Sequence, residues 1–227
     1  METTGEQALA KWEELKTAGR GVPVIVGNAI DDVVESFSPE NAAASGIGSL
    51  DETLAAASAI RFPEDFLRMR REEEKAAAIS DEELEEFQPD EGEWPAEAPA
   101  APGLTVTYDL LTSQAHPRVY IVLVPTDDPT TIPAHLRWGG FNACPRPEYH
   151  IAALRHWRDR YGAELVGLDM ATLNVRVARR PATPEEALEL ARLQYEYCHD
   201  IVDQGVDTLS ALAASLMAHD WWYFWWD

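Results

Sequence analysis

Two cysteines and six histidines bound the nucleophilic and metal chemistry open to this chain. Cys144 and His150 stand six residues apart, across a loop and the start of a predicted helix, while Cys198 is followed directly by His199 and Asp200. A cysteine nucleophile needs a base that lowers its pKa and a third group that orients the base. All three residue types are present. Neighbouring side chains on a helix point in different directions, however, so adjacency does not pair Cys198 with His199. Free cysteine is also among the most buried residue types, and core packing is the first expectation for both thiols. A metal site would draw on His116, His135, His150, His156, His199, His219 and the two thiols. None of these histidines is paired at i, i+4, no CxxC occurs, and His150 and His156 fall on different faces of their helix, so no metal and no cofactor is expected.

Two polar constellations are candidates for binding. In Trp138-Gly139-Gly140-Phe141-Asn142, paired glycines let the backbone approach something closely, and the flanking aromatics form either a platform or a bend that carries their rings into the core. The phosphate-loop Lys-Ser/Thr and the GxGxxG spacing are both missing. Asp200, Asp203, Gln204 and Gly205 lie between two predicted helices. Turn and capping chemistry is the first expectation there, with Gly205 at positive φ, and a polar cluster at a pocket mouth the sharper one. The candidate binding residues are Trp138, Asn142, Cys144, Tyr197, Asp200, Gln204 and Trp222, and no catalytic residue is assigned.

The elements that position these residues follow from periodicity and punctuation. Thr4 to Gln7 fits a capping box before Leu9, Trp12 and Leu15, and Gly19 and Gly21 end that helix. Val22 to Val26 has strand character, with Pro23 suggesting an edge or a strand start. Helices are predicted over 30–37, 50–60 and 63–79, and Ser80 to Glu83 is a second capping box opening a short acidic helix to Phe87. Residues 88–103 are acidic and rich in proline and alanine, so they form a linker or extended crossing segment, which Trp94 should pin to a domain. Val119 to Val124 is a strand apolar enough to be buried on both faces. A helix over 146–161 stops at Gly162. Two strands, 164–168 and 173–177, flank a turn at Asp169 to Thr172. A helix capped by Thr183 runs to about Cys198, and another opens at Asp207 or Thr208. In Trp221 to Trp226 both faces are apolar, so this last strand must be covered on both sides.

Composition narrows the function classes. The 227 residues carry 40 acidic and 18 basic side chains, a net charge of −22, and 46% hydrophobic residues, which is enough for a sizeable core. The acidity is uneven: residues 1–100 hold 24 acidic and 8 basic side chains, leaving 16 and 10 for the rest. Such a surface repels phosphate backbones, so nucleic acid is not an expected partner. No stretch reaches the roughly 20 apolar residues of a membrane helix, and the first residues lack the basic and apolar regions of a signal peptide, so a cytoplasmic location without a membrane is expected.

Three segments resemble one family: Trp138 to Pro145, His156 to Glu164, and Tyr195 to Gly205 followed by Trp222 to Asp227. Together they are similar to the bacterial domain-of-unknown-function family numbered 4253, over about residues 117–227. His199 departs from that pattern, which has proline there. The resemblance implies a domain boundary and no reaction, since the family has no assigned activity. The helix and strand at the start of the chain are similar to what precedes this domain in longer members.

The resulting expectation is an α+β protein: a mixed sheet of four to five strands with packed helices, an α-rich N-terminal segment with one short strand over 1–87, a linker over 88–103, and an α+β domain over 104–227. The leading functional expectation is a non-enzymatic interaction module, antitoxin-like or immunity-like by analogy, that binds a basic protein partner or a second copy of itself. The alternative is a small cysteine-dependent hydrolase or transferase.

Overall fold

The computed structural model describes residues 1–77 and 88–227. The expected acidic helix at Ser80 to Phe87, and the end of the helix predicted to Ile79, lie outside the described residues. The α+β expectation holds, with one strand more than the upper end of the expected range. Six strands form one mixed sheet: β1 (Glu2–Thr3), β2 (Val22–Ile25), β3 (Val119–Val124), β4 (Glu164–Leu168), β5 (Thr172–Arg176) and β6 (Trp221–Trp225), in the order β1-β3-β2-β4-β5-β6. Every neighbouring pair is antiparallel except β2 with β4.

Pro23 is not at an edge: β2 sits between β3 and β4. It is tolerated because β4 meets β2 only at Ile25↔Gly167, and the Pro23 carbonyl accepts from the Trp12 indole at 2.7 Å. The N-terminal 87 residues thus supply two strands of the same sheet as the C-terminal half.

The helices are α1 (Gly5–Ala18), α2 (Ile30–Ser36), α3 (Pro39–Ala44), α4 (Leu50–Ala59), α5 (Glu64–Ala76), α6 (Ile132–Leu136), α7 (Pro147–Tyr161), α8 (Pro184–Tyr197) and α9 (Leu209–Ala218). Thr4 precedes α1 as expected, but its side chain makes no cap: the Gln7 amide donates to the Thr4 backbone carbonyl at 3.1 Å, and the Gly5 amide to the His116 carbonyl at 2.8 Å. Ser49 and Glu52 do form a reciprocal box at α4, and Thr183 and Thr208 cap α8 and α9.

Alternation along the strands splits the apolar residues between two layers. On one face Ile25, Val119, Ile121 and Val166 pack with Trp12 of α1 and with Val106. On the other, Val24, Val124, Leu165, Leu173 and Val175 join the larger core with Phe66, Trp157 and Leu190 of α5, α7 and α8. The last strand obeys the same rule: Trp222, Phe224 and Trp226 are fully buried, and Trp221, Tyr223 and Trp225 half-buried. β3 is not buried on both faces throughout, since Tyr120, Val122 and Leu123 are only half-covered.

Residues 88–103 cross the surface and dock. The Asp90 and Glu91 carbonyls accept from the Leu209 and Ser210 amides, each at 2.9 Å, so the segment satisfies the otherwise unpaired first amides of α9. Further on, the Pro99 carbonyl lies 2.9 Å from His219 Nε2. Trp94 itself stays 42% exposed, so backbone hydrogen bonds rather than the indole hold this segment down.

Candidate functional site

The three signature segments meet around the C-terminal strand. Trp138 follows α6 and Arg137, and its ring is fully buried, with the indole N–H donating to the Asp169 carbonyl at 2.6 Å. The chain then bends through Gly139 at φ +114°. A Cβ there would lie 2.3 Å from the Pro145 carbonyl and 2.8 Å from His150 Nε2, so only glycine allows the loop to close over the histidine. Gly139→Ala is therefore expected to lower the urea unfolding midpoint, by more than about 1 kcal/mol of stability. Of the two expectations for this loop, the bend accounts for Trp138; Phe141, half-buried, packs edge-on against the Trp138 ring at 5.7 Å.

The bend brings Cys144 and His150 together. Cys144 Sγ lies 3.3 Å from His150 Nε2, and His150 Nδ1 is hydrogen-bonded to the Tyr197 hydroxyl from the end of α8. Rings of Trp138, Tyr197 and Trp226 enclose the imidazole, with centroids at 4.8, 5.5 and 5.6 Å. This is a nucleophile, a base and an orienting group in line, but the surroundings hold it neutral. Burial drives the His150 pKa down to about 3, and Arg70 adds to the effect. Burial likewise pushes the Cys144 thiol and the Tyr197 hydroxyl well above their ordinary values. The Pro145 carbonyl, which can only accept, is the imidazole's backbone hydrogen-bond partner, so the neutral ring is assigned its proton on Nε2, beside Pro145 and Cys144 Sγ, which leaves Nδ1 to accept from the Tyr197 hydroxyl. In that tautomer the imidazole gives a hydrogen bond to sulfur and cannot take the thiol proton.

The remaining sequence candidates clasp the end of β6. Asn142 Nδ2 donates to the Asp227 carbonyl at 2.6 Å, and the Asp227 amide donates to Asp200 Oδ2 at 3.2 Å. Gln204 Nε2 donates to Asp200 Oδ1 at 2.9 Å. The Cys198 thiol donates to the Trp225 carbonyl at 2.9 Å, and burial raises its pKa to about 12. His199 stacks on Tyr195 at 4.6 Å and does not pair with Cys198. Gly205 does not take positive φ: it lies in a π-helical turn, Val202–Val206, and the left-handed residue that ends the turn is Asp207 at φ +68°. Trp222 is apart from this cluster, in the core beside Trp157 and Tyr161.

The residue that sequence inspection missed is Arg70. From α5 it donates to the carbonyls of Ala143 at 2.7 Å and Tyr197 at 3.3 Å, tying the two signature segments together. Its place in a charged run, Arg70 to Lys75, gave no signal that one member turns inward.

Two clefts flank the loop. One, about 680 Å³, has Arg70, Cys144, Pro145 and Tyr149 in its wall. The other, about 320 Å³, is lined by Phe37, Ile47, Phe141 and Trp226. No group of three or more histidine, cysteine or carboxylate side chains that could hold a metal occurs among the described residues, and no helix among them is long and apolar enough to cross a membrane.

No curated protein and no solved structure matches the chain. The resemblance seen in the three signature segments is borne out: residues 120–227, the C-terminal part of the chain, match the family described as Domain of unknown function (DUF4253).

Proposed function

We propose that the protein is a non-enzymatic, cytoplasmic binding module for a basic protein partner, with an antitoxin-like or immunity-like role in a bacterium by analogy. The observation that carries the non-enzymatic half is the burial of the line Cys144, His150 and Tyr197 among aromatic rings, which disfavours both the thiolate and the imidazolium that a cysteine nucleophile and its base require. The residues that look catalytic in sequence act as a polar lock between the Gly139 loop, α7 and α8. The basic partner is supported by the net charge of −22.

The second reading, a cysteine-dependent hydrolase or transferase, is favoured by the 3.3 Å approach of Sγ to an imidazole beside a cleft of about 680 Å³. Iodoacetamide labelling of the folded protein at pH 7.5 separates the two. Both thiols are expected to react on the order of a thousandfold more slowly than free cysteine, because the thiolate is the reacting species. Fast, selective labelling of Cys144 would transfer the case to the enzyme. For the binding half, a low-salt pull-down that recovers no basic protein, together with a monomer in size-exclusion chromatography, would count against it.

A further inference from the structure

The cleft of about 320 Å³ lies between the two halves of the chain. Phe37 and Ile47, from the α2–α3 region, form one wall; Phe141, Met170 and Trp226 form the other. Its size falls at the lower end of small-molecule sites, about 300 to 1,000 Å³. Its charged lining group is Arg137, half-buried, with backbone φ of +55°. The guanidinium makes no hydrogen bond and no ion pair among the described residues, in contrast to Arg70 and Arg146 nearby. A half-buried guanidinium without a partner among the described residues is available to pair with an anion bound in the cleft.

The other polar groups near the cleft are neutral. The Trp226 indole N–H is buried and has no partner among the described residues. Guanidinium and indole are both donors only. Asn142 has already committed its amide N–H to the Asp227 carbonyl. Ser36, Ser45 and the Asn142 side-chain oxygen can meet donors or acceptors, so Arg137 alone sets the charge preference of the cleft: it favours an anion and repels a cation. The acidic surface of the chain disfavours small anions in general, so affinity has to come from an apolar body filling the cleft.

We propose that this cleft binds a small molecule with a compact apolar body and a single carboxylate, the carboxylate paired with Arg137 and the body held among Phe37, Ile47, Phe141 and Trp226. The proposal does not rest on the protein-partner reading. Five of its lining residues, Ser36, Phe37, Ala42, Ser45 and Ile47, lie outside the matched family region, so the N-terminal half completes it.

Calorimetric titration of the full chain with phenylacetate and with its uncharged counterpart phenylacetamide tests this. Phenylacetate is expected to bind saturably, at least about tenfold more tightly than the amide, since a charge-assisted bidentate pair is lost in the latter. Arg137→Gln should remove that difference, and Ile47→Trp, which fills the cleft, should abolish binding of both probes. Circular dichroism and Tm verify the fold of each variant. Because the Arg137 side chain makes no hydrogen bond or ion pair among the described residues, the Arg137→Gln arm decides alone if Ile47→Trp does not fold. No saturable binding at millimolar phenylacetate, equal affinity for the two probes, or unchanged phenylacetate affinity in Arg137→Gln would each overturn the proposal.

Discussion

Deletion of residues 221–227 is expected to leave a chain with no cooperative unfolding transition. The segment removes three fully buried large aromatics, Trp222, Phe224 and Trp226, from the larger core. Truncating one buried Phe or Trp to Ala costs about 3–5 kcal/mol. Three such losses reach the whole stability of an ordinary domain, about 5–15 kcal/mol. The deletion also uncovers β5, and it strips Asp200, Asn142 and Cys198 of their backbone partners at Asp227 and Trp225. A graded companion is Trp226→Ala, which keeps the strand but empties the space beside Trp138, His150 and Tyr197. It should fold, with a loss of about 3–5 kcal/mol by urea denaturation. A truncated protein that melts cooperatively near the full-length Tm would show that β6 is an appendage rather than a core strand.

The second large effect is acid destabilisation through His150. Its folded pKa is about 3 because burial disfavours the imidazolium, whereas in the unfolded chain the ring titrates near 6.5. Above pH 6.5 both states are neutral there, and the contribution to stability is fully present. Between about 6.5 and 3 the unfolded state binds one more proton than the folded state, so stability falls as pH falls. The slope from this one group is about 1.4 kcal/mol per pH unit, with an upper bound of roughly 5 kcal/mol over the whole window. His156 and His199 are also depressed by burial and add to the same trend. Subtracting the profile of His150→Gln isolates the His150 share. Urea midpoints at pH 7, 6, 5 and 4 should converge between wild type and variant as pH drops. Parallel profiles would mean that His150 titrates normally, and with that the neutral lock, and the non-enzymatic reading built on it, would fail.

The strands and helices were legible where local pattern and tertiary demand agree. Thr183 and Thr208 announce helix starts and perform that role, Gly162 ends α7, and of the two faces of Trp221 to Trp226 expected to be covered, that of Trp222, Phe224 and Trp226 is fully buried and the other half-buried. The errors fall where a distant group took over a local role. The Thr4 side chain makes no cap because the Gln7 amide it would serve bonds the Thr4 carbonyl, while His116, distant in sequence, takes the Gly5 amide. Pro23 lies at the second residue of β2, near the strand start that was one of its two expected places, but not at an edge, since β4 pairs beside β2 at Ile25. Positive φ went to Asp207 rather than Gly205 because a π turn, not a tight turn, ends that segment.

The candidate site divides along the same line. Sequence by itself determined the inventory: which thiols, imidazoles and aromatics exist, that the two glycines mark a close approach, and that three signature segments belong to one domain. Residue types and spacing carry that information, because propensity, alternation and capping act over a few residues. Tertiary structure alone decided that Cys144, His150 and Tyr197 form one line, that Asn142 and Asp200 grip the backbone of Asp227, and that Arg70 and Arg137, alike in sequence, differ in that one is tied to two signature loops and the other has no partner among the described residues. It also decided the chemistry of the line. A thiol and an imidazole in water would sit near neutrality and exchange protons; enclosed by aromatic rings, both lose the hydration that stabilises their charged forms, and burial, a property of the whole fold, sets their pKa values.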